Sequence, residues 1–132
     1  MENSDQNSNS NNIDLKSEIA NLSSSLPDIT KFKSEGNSLF GQNNYEEALN
    51  SYNKSVELIN NSEKIIREKL HEYQDKNEEL RSIKEKLRKE TVPIYSNIAL
   101  CYYKLGRPQE SVNFDLKVRV KFNFFYNKIL NL

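Results

Sequence analysis

The chain has 132 residues, enough for one small domain, and its bulk properties exclude several classes of protein. Basic and acidic residues number 19 each, so no net charge would draw the chain to nucleic acid or to an anionic membrane. A single cysteine, Cys101, excludes an intramolecular disulfide, and no apolar run reaches the roughly 20 residues that span a bilayer. We therefore expect a cytoplasmic protein with no membrane or nucleic-acid partner.

The chain begins with a polar stretch, MENSDQNSNSNN, that is rich in asparagine and serine. Such a composition buries too little apolar surface to offset the entropy of ordering the backbone. Residues 1–26 are therefore predicted to form a disordered leader. A weak amphipathic turn or two between Ile13 and Leu22 is the alternative that the spacing of apolar residues allows.

A helical pattern is predicted to begin at Pro27 and to form a hairpin. Apolar or small residues recur at three- and four-residue spacing in a first stripe, Phe32, Gly36, Leu39 and Phe40. Residues 41–44 break the pattern. A second stripe follows, Tyr45, Ala48, Tyr52, Val56 and Ile59, so that two helices are joined by a short turn. A glycine inside a helix costs roughly 1 kcal/mol relative to alanine. Gly36 therefore predicts a close approach of the second helix, with Ala48 as the small residue facing it.

The same layout returns 63 positions later in the chain. Phe32-x-x-Glu35-Gly36-x-x-Leu39 with Ala48-x-x-x-Tyr52 has its counterpart in Tyr95-x-x-Ile98-Ala99-x-x-Tyr102 with Ser111-x-x-x-Asp115. This layout resembles the tetratricopeptide repeat, whose period is about 34 residues. The resemblance implies an all-α fold of antiparallel hairpins, with repeat 1 over about 29–62 and repeat 2 over about 92–124. The second copy departs from the family pattern at Asp115, where an aromatic residue is usual, and in lacking a terminal proline.

An insert of about 60–91 separates the two repeats. Apolar residues recur every seven positions through it, at Ile59, Ile66, Tyr73, Leu80, Leu87 and Ile94, and charged residues crowd the other positions. This pattern predicts a coiled-coil-like helical extension, a two-helix spike that turns near Gln74 to Asn77. Pro93 predicts a kink or a restart of the helix near Thr91, because proline removes an amide donor.

The end of the chain carries two conflicting signals. Apolar and polar residues alternate from Leu116 to Phe124, which is strand patterning, whereas the repeat requires a helix there. We expect a helix from Gln109 to about Lys121, so that the helical domain spans 27–124 and residues 125–132 form an irregular tail. A truncated reading frame is one hypothesis for the absence of a third repeat.

The resemblance also suggests a binding site. A subset of the family, found in co-chaperones and large immunophilins, grips the C-terminal carboxylates of heat-shock chaperone peptides that end Glu-Glu-Val-Asp. Lys33 and Asn37 match the positions of its first repeat, and Asn97 matches the asparagine of its second. Four further residues complete the expected peptide site: Lys104 at a basic groove position, and Phe40, Leu100 and Tyr103 as apolar lining. Packing in the hydrophobic core is an equally good explanation for part of the role of Phe40, Leu100 and Tyr103.

The favoured interpretation is a non-catalytic adaptor, without a cofactor, that binds the acidic C-terminal peptide of a heat-shock chaperone. The family's third repeat supplies a further Lys and Arg that have no counterpart here, so we expect weak binding. The alternative is a structural, self-associating or scaffold module, such as a homodimer, without a working clamp. No His, Cys or carboxylate cluster has metal-ligand spacing, and no nucleophile with a base can be assembled, so neither a metal site nor enzyme activity is predicted.

Overall fold

The computed structural model describes the backbone of residues 2–74 and 76–130 and the side chains of residues 14–74 and 76–120. Over this part of the chain the protein is all-α, as predicted. The helices are α1 (Glu2–Gly41), α2 (Tyr45–Glu72), α3 (Glu78–Lys104) and α4 (Pro108–Leu130). Each helix packs antiparallel to the next, and α1 also contacts α3. The chain therefore forms two hairpins, α1–α2 and α3–α4, joined by a long helical extension.

Short polar turns fix where the helices end. Asn43 (φ 63°) and Gly106 (φ 72°) adopt the left-handed conformation that glycine and asparagine tolerate best. The α2–α3 turn falls between Glu72 and Glu78, at the predicted place. There Asn77 caps α3, because its side-chain oxygen accepts a hydrogen bond from the Leu80 amide at 3.0 Å.

The extension between the hairpins is held together by the predicted seven-residue stripe. Five of its six positions are buried, Ile59, Ile66, Leu80, Leu87 and Ile94, and Tyr73 is partly buried; Leu70 and Ile83, between these positions, are buried as well. A third set of buried residues, on α1, joins them: Leu15, Leu22 and Ile29, again seven positions apart. The extension is therefore a bundle of three helices rather than a two-helix spike, because the first half of α1 fills the third position.

The prediction of a disordered leader over residues 1–26 is wrong for the described side chains. The α1 helix begins at Glu2, and Leu15 and Leu22 are only 8% and 2% exposed. The Glu18 carboxylate also lies 3.6 Å from the ammonium of Lys69 on α2. The polar composition of the first 12 residues dominated the prediction, whereas the apolar heptad that follows is sufficient to dock the helix.

Two prolines lie inside helices. Pro27 is within α1, where a helix start was predicted, and Pro93 is within α3, which continues through the position where a kink or a restart was predicted. Each proline removes one backbone donor. Burial on both sides of the position compensates: Leu22 and Ile29 flank Pro27, and Thr91 and Ile94 flank Pro93. Packing in the bundle therefore outweighs the local cost.

The end of α4 also differs from the prediction. The helix continues to Leu130, past the predicted end near Lys121 and through most of the segment 125–132 that was expected to be irregular. The last two residues, 131 and 132, lie outside the described part of the chain. The alternating pattern is therefore carried by a helix and not by a strand.

Gly36 is buried where α1 meets α2, but its close neighbour is not the predicted one. A Cβ atom added at Gly36 would lie 2.5 Å from Cε1 and 2.6 Å from Cδ1 of the Tyr52 ring. The aromatic ring of Tyr52, rather than Ala48, therefore occupies the space that the glycine leaves. Tyr52 is fully buried, so the ring has no room to move away.

We predict that Gly36→Ala destabilises the protein by about 1–3 kcal/mol, because the new methyl group overpacks the Tyr52 ring. Gly41→Ala is the matched control, since a Cβ atom there would meet nothing within 4 Å. The control should be neutral or stabilising by up to about 1 kcal/mol through helix propensity. Urea unfolding followed by circular dichroism measures both. Equal effects of the two substitutions would contradict the close contact.

We also predict that Leu22→Ala lowers the free energy of unfolding by about 2–4 kcal/mol, because it opens a cavity in the three-helix bundle. Ser23→Ala, at the neighbouring exposed position, should change stability by less than about 0.5 kcal/mol. A disordered leader would instead leave both variants at wild-type stability in thermal or urea unfolding.

Candidate functional site

The first helices of the two hairpins, α1 and α3, lie side by side and run in the same direction, because α2 is antiparallel to both. The predicted clamp residues lie on these two helices. We call the surface that carries Lys33 and Asn37 of α1 and Glu90 and Asn97 of α3 the α1–α3 face. Its members are joined by hydrogen bonds across 57 to 60 positions of sequence.

Two asparagines meet on this face. Asn97 Nδ2 donates a hydrogen bond to Asn37 Oδ1 at 3.0 Å. The hydroxyl of Tyr52, on α2, donates to the same oxygen at 2.6 Å. One carboxamide oxygen therefore ties together α1, α2 and α3. The structure brings Asn37 and Asn97 together, as the resemblance suggested.

Tyr52 is the buried anchor of this network. Burial raises the pKa of its phenol to about 12, and the nearby Cys101 thiol acts in the same direction, while the nearby Asn97 side chain partly opposes them. The hydroxyl therefore stays protonated and remains a donor at any physiological pH. Sequence reasoning placed Tyr52 in the apolar stripe and missed this polar role, which only the meeting of three helices creates.

The network does not use all the hydrogen-bonding groups of Asn37. A carboxamide carries two N–H donors and an acceptor oxygen. The oxygen of Asn37 is used by the network, whereas its Nδ2 group has no hydrogen-bond partner among the described side chains. Asn37 is exposed, so these donors are accessible to a ligand. The arrangement suits an acceptor such as a carboxylate.

Lys33 lies one helical turn before Asn37, but it is already paired. Its ammonium is 3.2 Å from Glu90 Oε2, and both side chains are about one-quarter exposed. Sequence reasoning did not single out Glu90. Its position, seven residues before Asn97, was the available signal, because residues seven apart lie on the same side of a helix.

The remaining predicted residues differ in their surroundings. Lys104 is the last residue of α3, seven positions after Asn97, and makes no ion pair with the described side chains. Leu100 and Tyr103 are exposed. Phe40 instead packs on the core and makes an edge-to-face contact with Tyr45, with ring centroids 5.2 Å apart. Phe40 therefore also stabilises the first hairpin.

No group of three His, Cys, Asp or Glu residues in the described part of the chain could hold a metal ion. Cys101 is fully buried, and burial raises the pKa of its thiol to about 11. A protonated, buried thiol is a poor nucleophile. None of the helices, within the described residues, combines the length and the apolar character needed to cross a bilayer.

Comparison with known proteins is consistent with this geometry over the first hairpin. A family model described as Tetratricopeptide repeat matches residues 35–62, about a fifth of the chain. No curated protein and no solved structure gives a significant match. The matched repeat is typically a non-catalytic unit of protein–protein interaction, and the match therefore supports a protein-interaction module.

We predict that Asn37 and Tyr52 are energetically coupled. A double-mutant cycle with Asn37→Ala and Tyr52→Phe should give a coupling free energy of about 1 kcal/mol, because either substitution alone removes the same hydrogen bond. A cycle pairing Asn37→Ala with the exposed, distant Asn60→Ala is the control and should be additive. Chemical denaturation supplies the free energies. Additivity in the first cycle would show that the bond contributes nothing to stability.

Proposed function

We propose that the α1–α3 face binds an extended peptide with an acidic C-terminus, of the kind that heat-shock chaperones carry. The proposal depends on one observation, the 3.0 Å hydrogen bond between Asn97 and Asn37. That bond holds side chains from the first helices of both hairpins together on an exposed surface. A peptide carboxylate would accept hydrogen bonds from the Nδ2 group of Asn37.

The spacing of the charges supports a short ligand. Lys33 lies four residues before Asn37 on α1, and Lys104 lies seven residues after Asn97 on α3. At 1.5 Å per helical residue, the two cations are separated by about 16 Å along the helix direction. An extended chain covers about 3.3 Å per residue, so about five peptide residues span this length. The exposed Leu100 lies between Asn97 and Lys104 and offers an apolar contact to the peptide.

Glu90 limits the expected affinity. Its carboxylate already occupies Lys33, so an acidic ligand must displace or share that ion pair. Both side chains are only about one-quarter exposed, so salt screens this pair less than it screens a fully exposed pair. The weak binding expected from the sequence therefore has an additional cause within the face itself.

The proposal predicts opposite effects of two substitutions on the affinity for a labelled peptide ending Glu-Glu-Val-Asp. Lys33→Ala should weaken binding about tenfold, because it removes a charge-assisted hydrogen bond. Glu90→Gln should strengthen binding about two- to fivefold, because it frees Lys33. Fluorescence anisotropy measures both, and added salt should weaken wild-type binding.

Matched controls separate these effects from a change in net charge. Lys64→Ala removes one cation from the exposed side of α2, and Glu85→Gln removes one carboxylate from an exposed pair with Arg88. Both controls should leave the affinity unchanged within twofold. If Lys33→Ala and Lys64→Ala weaken binding equally, or if Glu90→Gln has no effect, the α1–α3 face is not the binding site.

A further inference from the structure

The α4 helix is apolar on two opposite sides. Its inner side packs on α3, where the Phe114 ring lies 5.9 Å from the Tyr95 ring and 5.6 Å from the Tyr102 ring, centroid to centroid. On the other side lie Val112, Leu116 and Val120, which are 53%, 52% and 68% exposed. We call these three residues the outer stripe. Their four-residue spacing keeps them on one side of the helix, roughly half a turn away from the inner residues.

The two-sided pattern explains the strand-like alternation in the sequence. Residues two apart on a helix are rotated by about 200°, so alternate residues fall on opposite sides. Val118 packs against the core, whereas its neighbours at two-residue spacing, Leu116 and Val120, belong to the outer stripe. A helix with apolar residues on opposite sides is typical of one packed between two partners.

The first hairpin shows what such packing looks like in this protein. The α2 helix contacts both α1 and α3, and its Leu49 is only 4% exposed. Val112 stands 63 positions after Leu49, the offset that relates Gly36 to Ala99. Within the described residues, however, α4 packs on α3 alone. The outer stripe is therefore where a further helix would complete the arrangement that α2 already has.

The charges beside the outer stripe indicate what kind of helix would fit. Lys117 and Arg119 lie on either edge of the stripe, and Asp115 is the only acidic residue between Val112 and Val120. Arg119 is 3.3 Å from Asp115 in an exposed pair, and Lys117 lies over the Phe114 ring at 4.5 Å. A second copy of α4 docked here would bring its own excess of cations against the cations of the first copy, so the two helices would repel. An acidic helix would instead complement them.

We propose that the outer stripe of α4 docks an amphipathic helix of another protein, one whose apolar stripe is flanked by Asp or Glu. The apolar side chains would cover Val112, Leu116 and Val120, and the carboxylates would reach Lys117 and Arg119. This surface lies on the second hairpin and is separate from the α1–α3 face. The inference therefore does not rest on peptide binding there.

The test uses the full chain and two labelled helical peptides of about 18 residues, five turns long. Both peptides carry leucine at alternating three- and four-residue spacing. One has glutamate beside the leucines, and the other has lysine at the same positions. We expect saturable fluorescence anisotropy with the glutamate peptide and at least tenfold weaker binding of the lysine peptide. Lysine-peptide binding as tight as that of the glutamate peptide would overturn the proposal.

Variants locate the binding. Leu116→Ser should weaken binding of the glutamate peptide about tenfold or more. The double substitution Lys117→Glu with Arg119→Glu should shift the binding preference toward the lysine peptide. Asn60→Ser, at an exposed position of α2 away from α4, is the control and should bind as the wild type does. Circular dichroism checks that each variant stays helical. Where a variant loses its helix, Val112→Ser replaces it.

Other occupants of the outer stripe are distinguishable outcomes. Sedimentation of the wild type and of Leu116→Ser reports a second copy: a dimer that the substitution dissolves would overturn the proposal in favour of self-association. Absence of saturable binding at the highest soluble concentration of the glutamate peptide would also overturn it. Neither outcome changes the expectation for Lys33→Ala and the acidic C-terminal peptide, so the two proposals can fail separately.

Discussion

The contact between Gly36 and the Tyr52 ring is the constraint on which the site depends. Because Gly36 has no side chain, the ring can press against the backbone of α1 and is fully buried. That position places the phenol hydroxyl 2.6 Å from Asn37 Oδ1, and Asn97 reaches the same oxygen from α3. A larger residue at position 36 would displace the ring and with it the geometry of the face.

The long three-helix bundle has a different role, which is to fix the direction of the helices that carry the face. Two hairpins alone bury little apolar surface, and repeat arrays usually need about three units for stability. Here the heptads of α1, α2 and α3 add an extended buried stripe that includes Leu22, Ile66 and Leu87. The same bundle brings Glu90 opposite Lys33, so the element that stabilises the fold also sets the charge of the face.

The two proposed surfaces differ in how many of their exposed groups already have a partner within the protein. On the α1–α3 face, the described polar groups already bond to one another, and a ligand would have to share Asn37 and compete for Lys33. The outer stripe of α4, in contrast, leaves Val112, Leu116 and Val120 in contact with water. Apolar surface of this kind favours a partner that covers it, because burial removes that surface from water.

Much of the architecture was predictable from local pattern. The period of 3.6 residues identified the helices, Asn and Gly marked the turns, and the offset between Gly36 and Ala99 identified the two hairpins. The pairing of Asn37 with Asn97 followed only from the resemblance to tetratricopeptide repeats. The prediction for the leader failed because the composition of residues 1–12 was extended to residues 13–26, where the heptad of Leu15, Leu22 and Ile29 had the same period as the insert.

The sequence by itself therefore determined the two hairpins and their turns, because helix periodicity and turn preferences are local properties. Only the tertiary structure decided that helices continue through Pro27 and Pro93, because burial by distant residues outweighs the lost backbone donors. It alone also decided that Tyr52 anchors Asn37 and that Glu90 neutralises Lys33. These partners lie 15 and 57 positions apart, and their distances depend on how the helices cross, which no local pattern records.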